Sequence, residues 1–445
     1  MITAILFISF FAMLLNGVPI AICLSTSSVL TILYASNFVR KFANLTLSVV
    51  ATNTYTGISK FLLLAIPFFV LSGNIMAKAG ISQRLVKFID DMVGHRRGSL
   101  AIVCVIVACF FGAISGSGPA TVAALGAVLI PAMVDSGFDI SFAEALMATS
   151  SSIAIVIPPS IAFVVYASIT GESVGQLFMA GIIPGILMGI ALAVVVKREA
   201  RIKHIEPSHE KRSAAERWAS FKEAFWGLLM PVIILGGIYG GIFTPTEAAA
   251  VSVVYGIIVA VFIYRDVTWK DMFFILVDSA KTTGGIMLIV ASASLFSYCC
   301  TLFGISQAAS TLLSNVSANR VVFLLIVNII FLIAGCFIDA NSAMYIFVPI
   351  MMGVAKALGY NMVAFGIVAT VNLAIGQVTP PVGVNLFVAL GLKIKDKTRS
   401  LPGADAFYKV TLPMISRAVL PMIFACLVVL LLITYVPQIS LLLVR

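Results

Sequence analysis

Apolar runs of about helix-spanning length follow one another along almost the whole chain, at residues 1–15, 17–36, 61–77, 176–196, 225–241, 247–264, 285–303 and 417–440. In lipid every backbone amide and carbonyl must be satisfied within the protein, so only helices and closed barrels can span. The roughly ten-residue alternating segments of a barrel are absent, which leaves an all-α integral membrane protein in a lipid bilayer. Composition agrees, with 61% hydrophobic and 10% charged residues. The first run lacks a basic leader and a small-residue cleavage site and reads as a retained span.

Two further apolar runs are interrupted. "IVIPPSIAFV" (155–164) and "GQVTPPVGVN" (376–385) each carry a proline pair, which removes two backbone donors and disfavours helix in the residue before it. Pro158-Pro159 recurs as Pro380-Pro381, 222 residues on, and the same offset carries Gly137 to Gly359. Upstream, Gly112 meets Gly335 at 223 residues, while Gly17 meets Gly241, and Gly80-Ile81-Ser82-Gln83 meets Gly304-Ile305-Ser306-Gln307, at 224. Marks that keep one order in both halves indicate an internal repeat. The expected units are 1–196 and 225–445, joined by a hydrophilic cytoplasmic linker at 197–224. Each contains a polar-tipped hairpin (about 99–135 and 320–356) followed by a broken helix (about 142–170 and 362–392). If the hairpins re-enter on their own side, each half crosses the bilayer five times, and the odd count inverts the second half. With the linker in the cytoplasm, only Arg40, Lys41, Lys60, Arg320, Lys356 and Arg445 of the 28 basic residues face out. That bias supports the hairpins and places both termini outside.

The same bias explains the net charge of +10 without invoking nucleic acid, since there is no soluble domain to present a basic face. The seven cysteines lie in apolar segments without metal-ligand spacing and read as packing residues. His95, His204 and His209 read as loop residues. "TPTEAAA" (244–250) reads as a capping box, with Thr244 as N-cap, Pro245 first in the helix and Glu247 third.

Non-helical backbone at membrane depth survives only where it is buried in protein or lines a site. Inverted repeats with discontinuous helices mark secondary transporters, in which half-helix N-termini face anionic substrates and unwound carbonyls coordinate Na⁺. At the first tip, "SGSGPAT" (115–121), Ser115, Ser117 and Thr121 offer oxygen ligands beside Gly116 and Gly118. At the second, "IDANSA" (338–343), Asp339 stands where Gly116 stands in the first, and an intramembrane carboxylate is a functional candidate by default. The alternative is an N-cap acting through Asn341 and Ser342. No Lys or Arg lies near either tip in sequence, so Asp339 is expected to be neutralised by Na⁺ or a proton. The positive ends of half-helices beginning near Ser342 and Pro381 are expected to meet a substrate carboxylate. No P-loop "GxxxxGK[ST]" occurs, so ATP is not expected to drive transport, and no organic cofactor is implied.

"GAISGSGPATVAALG", "IPPS", "GGIFTPTEAAA" and "GQVTPPVGVNLFVA" resemble the large membrane subunit of tripartite ATP-independent periplasmic (TRAP) transporters, and the likeness runs along nearly the whole chain. The resemblance implies an elevator fold in the bacterial inner membrane and Na⁺-coupled import of a small carboxylate. It also implies two partners, a small membrane subunit and a periplasmic substrate-binding protein. Carried over by position, one Na⁺ would involve Ser115, Gly116, Ser117, Ile157 and Pro158, and another Asp339, Asn341, Thr379 and Pro380. The substrate would meet Ser117, Gly118, Pro119, Pro159 and Ser160 from the first half, with Asn341, Ser342, Pro381 and Gly383 from the second.

Three other readings compete. A stand-alone Na⁺/dicarboxylate carrier of related architecture would need no binding protein. An intramembrane serine protease using Ser115 or Ser117 would need an embedded base such as His, and none is available. A channel usually builds its pore by oligomeric symmetry, whereas this chain builds its site from two internal halves.

Overall fold

The computed structural model of the chain describes residues 1–207, 209–305, 307–308, 311, 319–395 and 407–444. Ser306 of the second Gly-Ile-Ser-Gln, Arg445 and most of the arm expected before residue 320 lie outside the described residues. Within them the protein is all-α. Ten helices are long and apolar enough to cross a membrane, and the β pairing is confined to two isolated bridges, Arg97 with Pro207 and Lys395 with Phe407.

The first half runs α1 (Ile2–Leu15), α2 (Ile20–Phe38), α3 (Ser48–Ile58), α4 (Ala65–Lys78) and α5 (Ile81–Val93). Then come a helical hairpin, α6 (Ser99–Ser115) and α7 (Gly118–Asp135), a broken pair, α8 (Ile140–Ser152) and α9 (Ile161–Thr170), and α10 (Val174–Ile202). The second half repeats the order with α11 (Ala214–Tyr239), α12 (Pro245–Ile257) and α13 (Trp269–Leu302), and its hairpin is α14 (Arg320–Phe337) and α15 (Ala340–Ala357). Its broken pair is α16 (Met362–Gly376) and α17 (Val384–Leu390), followed by α18 (Leu412–Tyr435) and a final turn, α19 (Gln438–Leu441). Three of the four glycine pairs, Gly17 with Gly241, Gly80 with Gly304 and Gly137 with Gly359, have positive φ in both members.

Two boundaries differ from expectation. The 197–224 segment is mostly helix: α10 continues to Ile202 and α11 starts at Ala214, on a capping box in which Ser213 and Glu216 satisfy each other's backbone amides. Lys, Arg, Glu and Ala are strong helix formers, so the polar run marks the exit from lipid and not the end of the helix. The amphipathic segment and third span of the second half, separate in the first, form one helix of 34 residues. Gly284-Gly285 inside it costs only about 1 kcal/mol per glycine, too little to break so long a helix.

Contacts between helices of different halves fall into two sets, bridged where α4 and α5 pack on α6 and α13 packs on α15. In an outer frame, α2 and α3 lie on α13, α4 lies on α12 and α13, and α5 lies on α11. The inner group interleaves the halves: α15 packs on α9, α17 on both α7 and α8, and α10 on α18. Every residue of α16 is buried, as is α8 from Phe142 to Ser152, so α8 takes Glu144 and Thr149 to Ser152 into the interior, and α16 takes Thr370 and Asn372. Close approach of hairpin and broken helix is built the same way in both halves. A Cβ on Gly112 would fall 2.6 Å from Ala154 Cα, and one on Gly376 would fall 2.5 Å from Gly335 Cα.

The Thr244–Glu247 capping box is present, with the Thr244 amide donating to Glu247 Oε2 at 2.8 Å and the Glu247 amide to Thr244 Oγ1 at 3.3 Å. Thr244→Ala should therefore cost about 1 kcal/mol of stability in a thermal melt while leaving ion coupling intact. Loss of coupling in that variant would show that the segment does more than start a helix.

Candidate functional site

A cavity of ≈ 340 Å³ lies where the two hairpin tips meet, between the inner group and the frame helices α4 and α13. The first tip contributes Ser115, Gly116, Ser117, Gly118 and Pro119, and the second Asp339 and Asn341. The flanks of the broken helices supply Ile155, Ile161 and Gln377, while Asn74 and Thr282 face in from the frame. The structure thus brings together tips that are more than 200 residues apart in sequence.

The tips are closed differently. α6 stops at Gly116, whose φ of 61° needs no Cβ to relieve, and Ser117 turns the chain into α7. Ser115 and Thr121 hydroxyls lie 2.7 Å apart, and Thr121 donates to the Ser117 carbonyl at 2.8 Å. No side chain caps α7, so its positive end opens onto the cavity. At the second tip Asp339 caps α15: its Oδ2 accepts from the amides of Asn341 (3.0 Å) and Ser342 (3.1 Å), and its Oδ1 from the Ser342 hydroxyl (2.5 Å). The carboxylate expected to stand without a protein partner is met by its own helix end, because Asp-x-x-Ser is also a strong capping pattern. The expected positive end at Ser342 is therefore occupied, and at the start of the seven-residue α17 after Pro381 the Gly383 amide donates to the Cys336 carbonyl and the Asn385 amide to the Gln377 carbonyl. The open end is that of α7. Among the described residues Asp339 is the one charged side chain on the cavity wall.

The breaks turn most of their polar groups inward on themselves. Ser160 donates to the Ile155 carbonyl at 2.5 Å and caps α9, wholly buried. Ile157 fills the space over Gly185 of α10. Thr379 donates to the Ile375 carbonyl at 2.7 Å, Gly383 donates to Cys336 at 3.3 Å, and Pro381 is exposed. Of the residues carried over by position, Ile157, Pro158, Pro159, Ser160, Ser342, Thr379, Pro380, Pro381 and Gly383 do not line the cavity. Pro159 reaches its edge, its carbonyl 3.3 Å from where a Gly116 Cβ would sit.

Gln377 and Asn385 were not singled out in the sequence. A Cβ on Gly118 would lie 2.6 Å from Gln377 Oε1 and 2.9 Å from Asn385 Oδ1, so the first tip nests on the second break. Asn385 also donates from Nδ2 to the Ala148 carbonyl of α8 at 3.2 Å, tying the two broken helices together. Gln377 Oε1, Asn385 Oδ1 and Asn341 Oδ1 are buried acceptors without a donor among the described residues. Three unpaired oxygens beside a cavity with one carboxylate and no basic side chain among the described residues suit a hard cation such as Na⁺. No cluster of three His, Cys, Asp or Glu that could hold a metal occurs among the described residues.

Residues 7–439 match the family described as tripartite ATP-independent periplasmic transporter, DctM component. The chain is 40% identical to the C4-dicarboxylate TRAP transporter large permease protein DctM of Rhodobacter capsulatus, over 97% of this chain and 96% of that one. It is 39% identical to the isethionate TRAP transporter permease protein DctMQ of Oleidesulfovibrio alaskensis, covering 98% of this chain and 65% of the relative. Among solved structures, the YdaH transporter of Alcanivorax borkumensis superposes with a TM-score of 0.59 at 16% identity, over 90% of this chain and 89% of the other, and shares the fold.

Proposed function

Since the chain belongs to the family of the DctM component of TRAP transporters, a transport permease and not an enzyme, we propose that it is the large subunit importing a C4-dicarboxylate or related acid with Na⁺. The cavity wall carries the argument. It has one carboxylate and no basic side chain among the described residues, so an acid entering it needs a compensating cation. The open N-terminus of α7 offers the acid a positive partial charge, and Asn341, Gln377 and Asn385 offer oxygens to the ion. The halves are inverted repeats, oriented by the basic excess with the linker in the cytoplasm and both termini outside. The inner group slides as an elevator past the frame, which accords with the two sets of contacts. A small membrane subunit and a periplasmic binding protein complete the system. The relative named DctMQ, whose length this chain covers only in part, supports the first of these partners.

Uptake into proteoliposomes should require a Na⁺ gradient and not ATP. Equal uptake driven by a proton gradient in Na⁺-free buffer would overturn the coupling, and full activity of this chain without partners would favour the stand-alone carrier.

A further inference from the structure

A second cavity, of ≈ 780 Å³, lies far from the tips, between α10 and α18 at the linker end of the molecule. Its walls are apolar and outward-facing: Val194, Ile202, Phe424 and Val428 are each more than half exposed. Its mouth carries Arg198 and Arg417, both exposed and without an ion-pair partner among the described residues. The acidic groups there are already engaged, because Lys203 pairs with Asp139 and, at 3.6 Å, with Glu199. The groove therefore presents two uncompensated guanidinium groups above a slot open to hydrocarbon. We propose that it binds an anionic phospholipid of the cytoplasmic leaflet, its phosphodiester held between Arg198 and Arg417 and an acyl chain lying along Val194 and Phe424. Guanidinium matches phosphate geometry with paired donors, and basic pockets between membrane helices on the cytoplasmic side recognise such head groups. Bound there, one lipid joins the last long helix of each half.

The full-length chain in detergent, titrated with phosphatidylglycerol or phosphatidylcholine of matched acyl chains and read by native mass spectrometry, should bind phosphatidylglycerol about tenfold more tightly. Arg198→Gln combined with Arg417→Gln should erase that preference, while Arg198→Lys with Arg417→Lys should retain part of it. Lys211→Gln, which removes a charge from the linker, should leave it unchanged. Ala425→Trp fills the groove without touching either charge and should weaken binding of both lipids. Equal binding of the two lipids by the wild type, or a full preference in the double glutamine variant, would overturn the proposal. If that variant does not fold, Ala425→Trp decides, since undiminished phosphatidylglycerol binding by it would also overturn the site.

Discussion

Asp339→Asn should raise the Na⁺ concentration needed for half-maximal uptake by about tenfold or more, equivalent to ~1.4 kcal/mol, while the protein remains folded in the membrane. Asparagine is as good an N-cap as aspartate, so it still accepts from the Asn341 and Ser342 amides, and α15 starts where it did. What it removes is the one carboxylate lining the cavity, whose wall has no basic side chain among the described residues. Oδ2 accepts two bonds within the tip but Oδ1 only one, so Oδ1 keeps a lone pair and capping and ion binding are compatible. Substrate affinity should fall with Na⁺ affinity, since the two are linked. Initial uptake rate against Na⁺ concentration, with expression checked, makes the comparison. A wild-type Na⁺ dependence would leave Asp339 as a helix cap alone and the ion on Asn341, Gln377 and Asn385.

Gly376→Ala should destabilise the fold itself, by about 2–3 kcal/mol. The new Cβ would fall 2.5 Å from Gly335 Cα and 2.6 Å from its carbonyl carbon, backbone atoms that cannot swing aside as a side chain can. Membrane helices associate through such small-residue contacts, because burial from lipid offers no hydrophobic gain. Gly284→Ala is the matched control, as nothing lies within 4 Å of its would-be Cβ in the middle of α13. It should be neutral or stabilising, by up to about 1 kcal/mol. Melting of the purified variants followed by size exclusion would separate them, and a Gly376→Ala protein as stable as the control would show that α14 can give way.

Much of the helix order was legible in the sequence, because proline pairs and turn glycines act locally and leave their mark at the residue itself. Pro158 and Pro380 interrupt helices wherever they are placed, and Gly116 ends one. Charge was harder to interpret. Asp339 satisfies both a capping pattern and an ion-site pattern, and only the distances from its oxygens to the Asn341 and Ser342 amides show that the cap is made. Gln377 and Asn385 carried a faint signal, as polar side chains flanking a break at membrane depth. Their contact with Gly118 joins segments from opposite halves, and no local pattern reports such a meeting. The helices that run into the linker were not legible for a simpler reason: polarity tells where lipid stops, whereas helix propensity and the Ser213 cap tell where the helix starts and stops.

The lone carboxylate on the cavity wall also has an electrical consequence. If the inner group slides across the bilayer as proposed, it carries Asp339 with it, and the ionised form of that carboxylate moves one negative charge through the membrane field. Moving one elementary charge across a full 100 mV is worth about 2.3 kcal/mol, and a residue crossing part of the field feels a proportionate share. An inside-negative potential drives that charge outward, which is the direction of the empty return. The resting voltage of the cell would thus speed the reset step, even for a loaded form whose ions and acid cancel in charge, and uptake would respond to voltage without any net current in the loaded step.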